Sequence, residues 1–176
     1  GWRFLDLGRR IERATHGATV VRDIFAASGQ GSEPWLRLLL ELCDSSITYR
    51  TRYMAAVQAA PVVDLLMCDD TNPRSVQFQL QLIAEHLDRL ARSDVRPLSQ
   101  PEQKIARAAS TAVELFDVER VGATVDRDAM AMMDDLLAGT QARLAELSEA
   151  ITRAYFSHVE TVQSIGFEIA PTGGEG

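Results

Sequence analysis

The feature that most constrains this sequence is the recurrence of apolar residues at steps of three and four over long stretches. In the first stretch, about residues 2–27, these residues are Leu7, Ile11, Ala14, Ala18, Val21 and Phe25. Such spacing places side chains on one face of an α-helix, because that helix has about 3.6 residues per turn. The period recurs along the chain, and no stretch shows the alternation of a β-strand. The sequence therefore predicts an all-α fold.

We predict five long helices and a short one, joined by short connections. Their approximate ranges are 2–27, 32–57, 61–67 (the short helix), 72–92, 99–116 and 127–158. Asn72-Pro73 and the capping box from Ser99 to Glu102 are typical helix starts. Long helices with short connections indicate an antiparallel bundle of five to six helices. We expect one domain, residues 1–160, and a mobile tail, residues 161–176.

Composition argues against two classes of partner. The net charge is −7 and Lys104 is the only lysine, whereas nucleic acids require clustered Lys and Arg. No apolar run approaches the roughly 20 residues that cross a bilayer. We therefore expect neither nucleic acid nor membrane as a partner. Cys43 and Cys68 make no disulfide framework and no signal peptide precedes them, so we expect a cytoplasmic protein.

Motifs that would carry chemistry by themselves are missing. The sequence has no phosphate-binding G-x-x-x-x-G-K-[S/T], no C-x-x-C and no G-x-S-x-G. No glutamate has a histidine three residues later, which di-metal sites in helical bundles require. We expect no metal and no cofactor. The sequence leaves the existence of a catalytic site open, and it argues against catalysis by this chain alone.

Some polar residues lie where a helix would bury them. Glu12 lies at the edge of the apolar face of the first helix, whereas Arg13 lies on another, charged face. Local pairing of Glu12 with Arg9 and His16 is the simpler interpretation. Arg50 lies within the apolar stripe of the second predicted helix. An unpaired buried charge there would cost several kcal/mol. Either the Arg50 side chain reaches solvent, or it forms a buried pair with Glu12.

Three more candidates are Asp70, Arg74 and His158. Asp70 lies in a loop that could position a cation or substrate, although helix capping by Asn72 explains this segment without a ligand. Capping leaves Arg74 unexplained, because the helix dipole disfavours a cation in the first turn. His158 ends the last predicted helix, where the dipole stabilises a charged imidazole. If all six candidates met in one inter-helical pocket, the arginines would hold a carboxylate or phosphate, and Glu12 or His158 would move a proton.

Residues 1–14, GWRFLDLGRRIERA, resemble the signature of the alpha-E family, a bacterial all-helical domain named for its Glu-Arg motif. Glu12-Arg13 matches that motif, and residues 48–53, 72–75 and 155–158 resemble the family in the same order. The resemblance spans about residues 1–158. Family members are usually longer, so the chain would correspond to their C-terminal half, and an earlier half could complete a shared site.

The resemblance implies which proteins accompany such a domain, but it does not imply a reaction that the domain itself catalyses. Alpha-E domains are found fused to, or encoded beside, circularly permuted ATP-grasp proteins and transglutaminase-like cysteine proteases, which implies peptide or amide-bond chemistry. We therefore expect a non-catalytic interaction or regulatory domain, with an ATP-grasp ligase and a transglutaminase-like protease as partners. Two alternatives stay open. One is an enzyme or small-ligand binder that uses the six polar residues, and the other is a self-associating scaffold.

Overall fold

The computed structural model describes residues 2–28, 31–92 and 100–156, and all regular structure in these ranges is helical. The helices are α1 (Trp2–Ser28), α2 (Glu33–Leu42), α3 (Ser46–Tyr53), α4 (Ala59–Val63), α5 (Val76–Arg92), α6 (Pro101–Glu114) and α7 (Arg127–Tyr155). A π-helical turn, Asp64–Cys68, continues α4, and a 3-10 helix, Val118–Val121, precedes α7. The all-α prediction is confirmed, with seven helices where five to six were predicted.

Four long helices form an antiparallel four-helix bundle. Helix α1 packs against α5 and α7, and α6 packs against the same two helices. Contacts between helix ends show that neighbours run in opposite directions. These contacts are Asp6–His86 and Gly17–Val76 for α1 and α5, Gln77–Ser110 and Asp88–Gln103 for α5 and α6, and Phe4–Tyr155 and Arg22–Asp134 for α1 and α7. The short helices α2, α3 and α4 lie on the connection between α1 and α5.

The apolar faces that the sequence predicts form the centre of this bundle. On α5, the side chains of Leu80, Ile83 and Leu87 are completely buried. On α1, the predicted residues are buried except Ile11, which is half-buried. Burying one such aliphatic side chain stabilises a fold by about 1.5–3 kcal/mol. The periodic apolar faces are therefore what brings these long helices together.

The single helix predicted over residues 32–57 is wrong, because the structure has two helices there. The break falls at Asp44, whose backbone has a φ of 49°, and Met54 ends α3 with a φ of 44°. A residue with positive φ leaves the right-handed helical region. The change of direction turns the end of the predicted apolar stripe outward, so that Ile47 is 81% exposed and Met54 88% exposed.

Helix α5 begins at Val76 rather than at the predicted Asn72-Pro73. Asn72 forms a turn instead, since its Oδ1 accepts a hydrogen bond from the backbone N–H of Arg74 at 3.1 Å. Ser75 is the cap, because its Oγ accepts from the N–H of Phe78 at 3.0 Å. Arg74 thus lies just before the helix rather than in its first turn, and its guanidinium group is paired with Asp44.

The predicted capping box of α6 also differs. Gln100 precedes the helix, and its N–H donates to Oε1 of Gln103 at 3.1 Å. Glu102 is buried and accepts from the hydroxyl of Tyr155 at 3.3 Å, so it connects α6 to α7. Ser99 lies outside the described residues.

Within residues 2–28, 31–92 and 100–156, no helix has both the length and the apolar character needed to span a bilayer. The predicted tail, residues 161–176, lies outside the described residues. The bounds of the predicted domain therefore stay a prediction.

Candidate functional site

Three of the six predicted site residues line one pocket. Glu12, Arg13 and Arg74 surround a space of about 380 Å³ between α1, the α2–α3 turn and the turn before α5. Small-molecule sites in proteins occupy about 300–1,000 Å³. We call this space the Glu12–Arg13 pocket. Its other lining residues are His16, Gly17, Leu42, Cys43, Asp44, Pro73 and Gln79.

The α1 wall of the pocket carries Glu12, Arg13 and His16 on the solvent face of the helix, and all three are exposed. Within the described residues, neither Glu12 nor Arg13 forms a hydrogen bond or an ion pair. The predicted local pairing of Glu12 with Arg9 or His16 is therefore wrong. Of the two alternatives left open for Arg50, the structure supports the side chain that reaches solvent, because Arg50 and Glu12 are both exposed and form no buried pair. Two opposite charges are left free on this wall.

The opposite wall carries an ion pair between Arg74 and Asp44. The Nη2 atom of Arg74 lies 2.5 Å from Oδ2 of Asp44, and both side chains are largely exposed. An exposed pair of this kind contributes about 0–1 kcal/mol to stability. Asp44 occupies its place because the chain breaks there with positive φ, a conformation that Asp tolerates better than most residues.

Gln79 holds the turn before α5 against α1. It is 2% exposed, and its Nε2 donates to the carbonyl oxygen of Pro73 at 2.6 Å. Its Oε1 accepts from Nη1 of Arg10 at 3.3 Å. Because both ends of the amide have partners, the side chain positions the Pro73–Arg74 turn relative to α1.

A network of hydrogen bonds continues from Arg10 to His86 on α5. Asp6 accepts from Nε of Arg10 at 2.8 Å and from Nε2 of His86 at 2.7 Å. Desolvation raises the pKa of Asp6, but the hydrogen bonds from Arg10 and His86 outweigh it and leave the pKa below its usual value. The Nδ1 atom of His86 is buried and has no hydrogen-bond partner among the described residues.

The structure places the other three candidates elsewhere. Arg50 is exposed and lines a separate, smaller space of about 200 Å³ with Tyr49. Asp70 is exposed in the turn that follows the π-helical turn, and it does not line the Glu12–Arg13 pocket. His158 lies outside the described residues. A site role for these three residues stays a prediction.

A larger space of about 640 Å³ between α1 and α7 is a weaker candidate, because its main polar groups already serve the fold. Arg22 pairs with Asp134 at 2.6 Å, and this hydrogen bond lowers the pKa of Asp134. Asp126 caps α7 by accepting from the N–H of Ala129 at 2.8 Å.

The thiols are poor nucleophiles, since burial raises the pKa of Cys43 to about 11 and that of Cys68 to about 12. Cys43 also lines the Glu12–Arg13 pocket. Among the described residues, no group of three or more His, Cys, Asp or Glu side chains is arranged to hold a metal ion.

Sequence reasoning did not assign three polar residues of the pocket, His16, Asp44 and Gln79, to a site. The spacing of four residues did place His16 beside Glu12 on one helix face, but only as a pairing partner and not as a pocket residue. Gln79 is a polar residue next to the buried Leu80, which could have marked it as a polar group in need of partners. Asp44 had no such signal, because the helix break that places it was not predicted.

Comparison with known proteins decides the family. The model of the Alpha-E family, described as a predicted alpha-helical domain with a conserved ER motif, matches residues 1–156. The chain belongs to the Alpha-E family.

Relatives of this Alpha-E chain include an uncharacterized protein of Mycobacterium bovis and two uncharacterized proteins of Mycobacterium tuberculosis. Each is 28% identical over 156 residues, which is 86% of this chain and 17% of the relative. The chain thus spans 17% of the length of the curated relatives it matches. No solved structure matches it.

The Alpha-E chain contains the Glu-Arg pair twice, at Glu12-Arg13 and at Glu119-Arg120. The first pair lies on the pocket wall, and the second lies on the short 3-10 helix. Exposed polar residues that a family keeps commonly serve binding. Because Glu12 and Arg13 are exposed, without partners and beside a pocket, they mark the candidate functional site.

Proposed function

We propose that this Alpha-E domain is a non-catalytic interaction and regulatory domain that docks onto an ATP-grasp amide ligase. One observation carries the proposal. Exposed apolar side chains lie directly beside the Glu12–Arg13 pocket, with Leu42 57% exposed and Ile47 81% exposed. We call Leu38, Leu42, Ile47 and Pro73 the α2–α3 surface.

The residues of this surface are neighbours. Leu42 and Pro73 both line the Glu12–Arg13 pocket, and Pro73 and Ile47 both line the next depression, which lies along α3. Leu38 lies one helical turn before Leu42 and is 39% exposed. Contiguous exposed apolar groups bordered by charges are typical of surfaces that bind another protein.

The choice of an ATP-grasp ligase as partner rests on the family resemblance. The same resemblance implies a transglutaminase-like protease as a second partner. The length of the relatives agrees with a companion role, because the matched region is only 17% of each relative. The raised pKa values of both thiols argue only against a cysteine nucleophile in this chain. We also propose a cytoplasmic location, since the cysteines are free, as they are in reducing compartments.

Binding between the purified chain and the ATP-grasp protein of the same genome tests the proposal. We expect micromolar binding by calorimetry, weakened at least about tenfold by Ile47→Asp, because a charge would be buried in the interface. Leu115→Asp is the matched control, because Leu115 is 76% exposed at the end of α6. No binding at micromolar concentration, or equal loss in both variants, would contradict the proposal.

Self-association is the competing explanation for the same surface. A second copy of the chain would cover Leu42 and Ile47 as a partner protein would. Light scattering of the chain alone separates the two explanations. A dimer that Ile47→Asp dissociates, in a chain that binds no ATP-grasp protein, would favour the scaffold.

A further inference from the structure

We propose that the Glu12–Arg13 pocket binds a short peptide with free ends, whose ammonium group contacts Glu12 and whose carboxylate contacts Arg13. The carrying observation is that two side chains of opposite charge lie on one pocket wall without partners in the described residues. A ligand with one charge of each sign completes both.

The charges of the pocket favour this class of ligand over others. Two arginines and two carboxylates line it, and Arg74 and Asp44 neutralise each other at 2.5 Å. Glu12 and Arg13 are therefore the pair available to a ligand. The Arg13 guanidinium presents a fork of N–H donors to a carboxylate, and the Glu12 carboxylate accepts hydrogen bonds from an ammonium group.

The direction of the two side chains favours a ligand with separated charges. Successive residues on an α-helix point about 100° apart around its axis, so Glu12 and Arg13 are directed to different parts of the pocket. A molecule that carries its charges at two ends reaches both. Leu42 and Pro73, which also line the pocket, offer apolar contacts to the body of such a molecule.

Inorganic phosphate or another small anion fits less well. The carboxylates of Glu12 and Asp44 would repel a second negative charge, and the guanidinium of Arg74 is already paired. A cation alone would find only one unpaired carboxylate on these walls, beside the positive charge of Arg13. The inference rests on these charges and does not require an ATP-grasp partner.

Titration of the whole chain, followed by amide NMR shifts, tests the inference with defined probes. The probes are L-alanyl-L-alanine, the same dipeptide with its amine acetylated, the dipeptide with its carboxylate amidated, and inorganic phosphate. We expect the free dipeptide to shift the amides of Glu12, Arg13 and Gly17. Blocking either end is expected to weaken binding about three- to tenfold, because each block removes one charge-assisted hydrogen bond.

Two variants test which residue binds the amine and which binds the carboxylate of the dipeptide. In Glu12→Gln, acetylation of the probe should no longer weaken binding, and in Arg13→Gln amidation should no longer do so. Both positions are exposed, so the fold should survive, which the unchanged amide spectrum verifies. Glu119→Gln and Arg120→Gln are matched controls on the 3-10 helix and should bind like the parent chain.

Other outcomes overturn the inference. These are equal binding of blocked and free dipeptides, tighter binding of phosphate than of the dipeptide, shifts confined to other helices, and no shift at millimolar dipeptide. Ile47→Asp distinguishes this test from that of the docking proposal, since it should weaken partner binding at least about tenfold and leave dipeptide binding unchanged.

Discussion

His86 on α5 and Asp6 on α1 lie 2.7 Å apart, from Nε2 to Oδ2, and this contact begins a series of hydrogen bonds that ends at the candidate site. Asp6 also binds Arg10, Arg10 binds Gln79, and Gln79 binds the carbonyl of Pro73. The turn that borders the pocket is thus attached to two helices of the bundle. The position of the site therefore depends on polar contacts inside the fold.

Asp6→Asn is expected to make the chain less stable at neutral pH, by an amount that shrinks in acid. The pKa of Asp6 is lowered in the folded state, whereas in the unfolded chain it is about 3.9. A group with a lowered folded-state pKa stabilises the fold above its unfolded pKa and loses that contribution as pH falls through the folded pKa. Urea unfolding of parent and variant from neutral pH to about pH 3 measures the difference.

Asp70→Asn is the control for this experiment, because Asp70 is exposed and lies outside the network. It should leave the free energy of unfolding nearly unchanged throughout the same range. A stability difference for Asp6→Asn that is constant with pH would show that the ionised carboxylate does not stabilise this fold.

Gly8→Ala is expected to stabilise the chain by about 0.5–1 kcal/mol. Gly8 lies in the interior of α1, is exposed, and a Cβ atom there would meet nothing within 4 Å. Alanine therefore gains helix propensity without a clash. Thermal unfolding should show a midpoint that is a few degrees higher, at about 2–4 °C per kcal/mol.

Gly31→Ala should act in the opposite direction. Gly31 has a φ of 63°, and a Cβ atom there would lie 2.8 Å from Cε1 of Phe25. Both the backbone conformation and the contact disfavour alanine, with an expected loss of about 1 kcal/mol or more. If both glycine variants changed the thermal midpoint in the same direction, the placement of Gly8 inside α1 or of Gly31 after its end would be contradicted.

Tyr49→Phe is expected to destabilise the chain by about 1–2 kcal/mol. The Tyr49 side chain is 1% exposed, and its hydroxyl donates to the carbonyl of Ala56 at 3.1 Å and accepts from the N–H of Gln58 at 3.2 Å. Phenylalanine keeps the ring but removes both hydrogen bonds of the α3–α4 connection. Urea unfolding measures the loss, and Thr51→Ala, at an exposed position of α3, should change stability by under about 0.5 kcal/mol.

Both thiols should react slowly with a disulfide reagent such as Ellman's reagent. With pKa values of about 11 for Cys43 and about 12 for Cys68, few thiolates exist near neutral pH. At about pH 8 we expect modification at least about a hundredfold slower than for free cysteine, whose pKa is about 8.5. Unfolding in guanidinium should restore the rate of free cysteine, and rapid reaction of either thiol in the folded chain would refute its burial.

The sequence by itself determined the all-α class and the apolar faces of the long helices. The steps of three and four from Leu7 to Phe25 predicted the buried face of α1, and the same spacing from Leu80 to Leu87 marks the buried face of α5. This worked because helical periodicity is a local property, set by the geometry of consecutive residues. The sequence also singled out Glu12, Arg13 and Arg74 as polar residues that the apolar pattern did not explain.

Only the tertiary structure decided which of these polar residues meet. The positive φ at Asp44 breaks the predicted second helix, turns Ile47 toward solvent and brings Asp44 to Arg74. A non-glycine residue adopts that conformation when packing of the surrounding chain outweighs its local cost, and no short sequence pattern encodes this balance. The pocket beside Glu12 and Arg13 is formed by contacts between segments that are far apart in the chain. Each helix that lines it is determined by residues that are close together in the sequence.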